Sequence, residues 1–139
     1  MRLYLTISLL LALVHTAWAD TTNRAKQFSP VPGIFVGGVG LECKSNPPNV
    51  VEFLLLTKDR QRVGLAVFEN DDVTYDFLAI TKTTPRTYIA EQENTEVVLD
   101  RQSLKLTMEQ DYKCVVMSIS DLHNAAKDFL RTLLSENKI

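Results

Sequence analysis

The chain has 139 residues, 45% of them apolar and 23% charged, with a formal net charge of −2. This is ordinary globular composition, which excludes collagen-like, low-complexity and wholly disordered chains. The length suits one domain, and the slight acidity gives no electrostatic reason to expect nucleic acid or an anionic membrane as a partner.

The chain opens with Met1 and Arg2 and then an apolar run, Leu3 to Val14, broken only by Thr6 and Ser8. Ala17-Trp18-Ala19 follows, two small residues flanking a large one, which is the pattern of a cleavable secretory signal over residues 1–19. The apolar run falls short of the roughly 20 residues of a bilayer span, and no basic stop-transfer cluster follows it. Export is therefore expected, to the extracellular space or, in a bacterial source, to the periplasm. No cysteine stands near the cleavage point and no Asn-x-Ser/Thr sequon occurs, so neither a lipid anchor nor an N-glycan is expected.

Cys43 and Cys114 are the two cysteines, 71 positions apart. In an oxidising compartment an even pair predicts one disulfide. Closing a loop of that size stabilises a fold by about 4 kcal/mol in the chain-entropy model.

Residues 20–32 are polar and end in Pro30 and Pro32, which reads as a mobile N-terminal arm. The domain is expected over residues 33–139. Gly33 to Lys44 holds Gly33, Gly37, Gly38 and Gly40 among Ile34, Phe35, Val36, Val39 and Leu41. A phosphate-cradling loop needs Lys-Ser/Thr or a helix after its glycines. Leu41-Glu42-Cys43 supplies neither, so a strand with a bend or bulge is expected.

Val50 to Leu56 and Val63 to Phe68 are near-continuous apolar runs separated by the polar turn Thr57 to Arg62, and read as strands buried on both faces. Glu69 to Asp72 is a turn. Val73, Tyr75, Phe77 and Ala79 then alternate with Thr74 and Asp76, as in a half-buried strand. Shorter strands follow at 88–90, 97–99 and 104–108. A last doubly apolar strand spans 112–119 and holds Cys114.

The C-terminal segment has helical spacing. Leu122, Ala125, Ala126, Phe129, Leu130, Leu133 and Leu134 draw one apolar stripe. His123, Asn124, Lys127, Asp128 and Arg131 fall on the polar side, and Ser120 is the expected N-cap. Because the polar side is mixed in sign, packing on the protein's own sheet is expected over a membrane surface. The predicted fold is α+β: a bent antiparallel sheet or small β-barrel of about seven or eight strands, with one amphipathic C-terminal helix packed on it.

Few residues offer catalysis. After signal removal His123 is the only histidine, both cysteines belong to the disulfide, and no loop has the Ca²⁺-binding spacing. Glu91, Glu93 and Glu96 lie in an exposed-looking turn. No catalytic residue, metal or cofactor is expected, and the chain reads as non-enzymatic.

Charge patterning gives a sharper expectation. In a simple up-and-down meander, alternate turns fall at opposite ends. One end collects Lys58, Arg60, Arg62, Lys82, Arg86 and Arg101 against Asp59 and Asp100. The other collects Glu69, Asp71, Asp72, Glu91, Glu93, Glu96, Glu109 and Asp111. A polarised molecule steers its partners and is salt-sensitive. The six cations are the candidate binding residues, for a protein or a glycan whose identity the sequence does not carry. The competing expectation is a small apolar-ligand carrier with a cavity in the barrel. Oligomeric state has no signature in the sequence.

Overall fold

A computed structural model describes residues 31–136. The expected signal over 1–19, and the arm except Val31 and Pro32, lie outside the described residues. Eight strands form: β1 (Val39–Ser45), β2 (Val51–Leu56), β3 (Arg62–Glu69), β4 (Asp72–Thr83), β5 (Thr87–Gln92), β6 (Thr95–Asp100), β7 (Lys105–Thr107) and β8 (Asp111–Met117). They pair antiparallel in chain order, and β8 returns to β1 to close a barrel. Among the described residues one α-helix, α1 (Ile119–Glu136), follows. The expected small barrel with a single C-terminal helix is what the chain forms.

Local chemistry explains the meander. The β3–β4 and β5–β6 hairpins turn on two residues each, Asn70-Asp71 (φ 52° and 60°) and Glu93-Asn94 (φ 46° and 70°). Positive φ at both central positions matches the twist of the flanking strands. Cys43 and Cys114 stand directly opposite in the β1–β8 register, so their disulfide staples the pair that closes the barrel.

The side-chain alternation of the strands builds two cores. Leu41, Leu54, Leu56, Val63, Leu65 and Leu106 point inward with the two cysteines and fill the barrel. Phe53, Leu55, Val73 and Tyr75 form a second layer on the outside with Phe35, Leu122 and Ala126. The doubly apolar runs in β2 and β3 are thereby explained, since each face meets a different core. Two glycines make room for the outer layer. A Cβ at Gly40 would overlap the Leu122 side chain, and one at Gly64 would lie 2.6 Å from the Phe35 ring.

The structure corrects several local expectations. Gly33–Phe35 is a 3-10 turn and not the start of a strand. Gly37, at φ 79°, redirects the chain so that β1 begins only at Val39. The turn lets Phe35 bury fully against Gly64, and Val31 packs against the same layer. The alternation over 73–79 also changes faces. Val73 and Tyr75 are buried on the outside, but Phe77 is 51% exposed, and the inward residues Leu78 and Ile80 take over as β4 enters the barrel wall. The last strand is not covered on both faces, since Val115 and Val116 are exposed. The helix cap is Ser118 rather than Ser120: its Oγ accepts from the Asp121 N–H (3.1 Å), because β8 runs into the helix with no intervening loop. The distal stripe residues Leu133 and Leu134 are exposed.

Candidate functional site

The up-and-down connectivity puts the β2–β3, β4–β5 and β6–β7 turns at one end of the barrel, with Lys58, Arg60, Arg86 and Arg101 in them, Arg62 at the start of β3 and Lys82 near the end of β4. Hydrogen bonding then divides them. Arg60 sits at φ 58° and its Nη1 donates to the Thr57 carbonyl (2.7 Å), which tightens the β2–β3 turn. Arg86 Nε donates to Asp100 Oδ2 (2.7 Å). Arg101 Nη1 donates to the Thr84 carbonyl (3.0 Å), and its guanidinium lies 4.5 Å over the Tyr88 ring. Arg60 thus braces its own turn, while Arg86 and Arg101 fasten the β4–β5 and β6–β7 turns to one another.

The carboxylates at this end serve the same purpose. Asp100 Oδ1 accepts from the N–H groups of Gln102 and Ser103, both at 2.9 Å. The Ser103 amide, then Arg86, then the Gln102 amide hold its carboxyl far below the usual carboxylate range. Asp59 accepts from the Thr57 hydroxyl (2.7 Å) and the Gln61 N–H (3.0 Å), and these lower its pKa in that order. Among the described residues Lys58, Arg62 and Lys82 form no ion pair. Lys58 and Arg62 border an open groove of about 610 Å³ together with Ile34, Thr57, Asp59 and Gln61. Lys82 lies apart, on β4 opposite Ile89.

The other end is organised differently. Glu69, Asp71, Asp72, Glu91, Glu93 and Glu96 gather at the β3–β4 and β5–β6 hairpins and make no ion pair among the described residues, whereas Asp111 pairs with Lys105 at 3.1 Å. Glu91 and Glu96 stand directly opposite in the β5–β6 register. Like charges so placed oppose folding.

Two features of the structure escape sequence reasoning. His123, expected on the solvated face of the helix, is 4% exposed, and its Nδ1 shares a 2.8 Å hydrogen bond with the Tyr75 hydroxyl. Its Nε2 has no partner among the described residues. Burial first, and Lys127 second, push its pKa down against the opposing pull of Asp72; burial raises the Tyr75 phenol to about 12. A histidine beside an apolar stripe carries no local mark of a tyrosine 48 positions away. The second feature is the outer edge of β4, whose Asp72–Ala79 stretch pairs with β3 alone among the described residues.

The barrel interior leaves about 10 Å³ among Leu54, Leu56, Val63, Ile80, Tyr88 and their neighbours. Among the described residues no group of three or more His, Cys, Asp and Glu side chains is placed to hold a metal ion, and no helix is long and apolar enough to cross a membrane. No protein-family model, curated protein or solved structure matches the chain.

Proposed function

We propose that the chain is an exported, disulfide-tied binding module, without catalysis of its own, that meets a protein or glycan through one of the charged ends of its barrel. The observation that carries this reading is the contrast between inside and outside. A space of about 10 Å³ is no more than one water requires, whereas small-molecule pockets run to roughly 300 Å³ and above. The filled interior supports surface recognition over an apolar-ligand carrier. The sorting of charge to opposite ends gives that surface a chemical basis, since such fields raise association rates and discriminate partners. The secretory signal pattern and the Cys43–Cys114 disulfide support export.

Native mass spectrometry of the purified chain and affinity capture from the host fluid or envelope fraction test this reading together. The expected results are a bare mass and a partner whose retention falls with salt. Reversing Lys58, Arg62 and Lys82 to Glu, and separately Glu69, Glu91 and Glu96 to Lys, assigns capture to one end. A co-purified lipid, or capture indifferent to both reversals, contradicts it.

A further inference from the structure

Strand β4 keeps different company along its length. From Ile80 onward it pairs with β5, but from Asp72 to Ala79 its paired neighbour is β3. No strand among the described residues pairs with the opposite edge of that stretch. Register fixes which amides face the opening. The Ile80 N–H donates to the Gln61 carbonyl (2.8 Å), in line with the pairs Val63–Leu78, Leu65–Asp76, Val67–Thr74 and Glu69–Asp72. In an antiparallel ladder alternate pairs exchange hydrogen bonds. The intervening residues Val73, Tyr75 and Phe77 therefore direct their backbone groups away from β3. Asp72 Oδ1 accepts from the Val73 N–H (2.8 Å), while Tyr75 and Phe77 have no strand to meet.

Side chains give the edge a chemical character. Asp72, Thr74 and Asp76 alternate onto one face and are exposed; Phe77, about half exposed, lies on the other. The acidic β5–β6 hairpin, with Glu91 and Glu93, stands at the same end of the barrel. We propose that the Val73–Phe77 edge docks an extended, lysine- or arginine-bearing segment of a partner protein, which adds to the sheet as a further strand. This rests on the binding-module reading. Regularly spaced backbone donors and acceptors fit an extended chain, alternate cations meet Asp72 and Asp76, and intervening apolar side chains meet Phe77. A second copy is a poor occupant, because antiparallel β4–β4 pairing would crowd Asp72 and Asp76 of both chains together. Acidic residues on an open edge guard against that association.

The test uses the full mature chain and an end-blocked octapeptide of alternating lysine and valine. Binding is followed by titration calorimetry and by the amide resonances of β4. The peptide should shift and protect the Tyr75 and Phe77 amides, with affinity falling as salt rises. A peptide with proline replacing a central valine should bind about tenfold more weakly, since it loses ladder hydrogen bonds. Asp72→Asn/Asp76→Asn should weaken binding by a similar factor, and Thr74→Lys, a second exposed change on the same face, should do so independently. Equal binding of the proline peptide, shifts confined to other strands, or a chain already paired through β4 in a dimer overturns the proposal. Partner capture that survives in Asp72→Asn/Asp76→Asn overturns the edge and leaves the binding-module reading standing; capture of no partner by the unmodified chain removes both.

Discussion

The inner and outer cores of this barrel are made from the same strands but are closed by different means. The inner core is surrounded by ladder hydrogen bonds and stapled across β1–β8 by a covalent bond. The outer core is closed by a helix and a 3-10 turn laid over the outward faces of β1 to β4, and it depends on side-chain fit. Among the described residues the loose ends are a half-paired histidine, an exposed phenylalanine and a strand edge without a neighbour. Where a fold is sealed by its ladder, little remains for recognition. Where it is sealed by docking, the backbone groups of Tyr75 and Phe77 are left for a partner, while the unpartnered His123 Nε2 stays buried.

Removing the staple should have the largest effect on stability. Cys43→Ser/Cys114→Ser frees a loop of 71 positions and should cost about 4 kcal/mol in denaturant unfolding. Truncating the helix's main anchor should come next. Leu122→Ala should cost about 3 kcal/mol, because the side chain is fully buried and its space cannot collapse onto Gly40. Gly40→Ala attacks the same contact from the strand side and should cost roughly 1–3 kcal/mol through overpacking, with the helix amides losing exchange protection before those of β6 and β7. Equal loss of protection in both layers would show that the two cores are one cooperative unit.

The smallest effect is a pH dependence. Burial holds the His123 pKa below its usual 6.5, so the unfolded chain takes up the proton first. Stability from this group is complete above that pH, falls as pH drops through 6.5, and levels off below the folded-state pKa. Thermal melts between pH 8 and pH 5 should show the decline, and His123→Phe should flatten it. An unchanged slope in that variant would place the titration elsewhere.

Much of this architecture can be read from residue patterns, and the exceptions have physical causes. The paired apolar runs at 50–56 and 63–68 demand two covered faces, and the charged turns sort to the two ends once the meander is drawn. Alternation in β4 is legible, but not the point at which its buried set passes from Tyr75 to Leu78, because that depends on where the helix stops covering the strand. Charge at the basic end is also legible while its availability is not. Arg86, Arg101 and Arg60 fasten turns, and only geometry separates them from Lys58 and Arg62 at the groove. Ser118 outranks Ser120 as cap because strand and helix abut. The open edge has no local signature, since a strand's residues do not record how far its neighbour runs.

Amide hydrogen exchange along β4 in the ligand-free chain reaches the central claim most directly. The Thr74 and Asp76 amides, bonded to β3, should exchange slowly, and the Tyr75 and Phe77 amides, one position on, should exchange faster by about tenfold or more. Uniform slow exchange at all four positions would mean that the edge is already occupied, and would contradict the account.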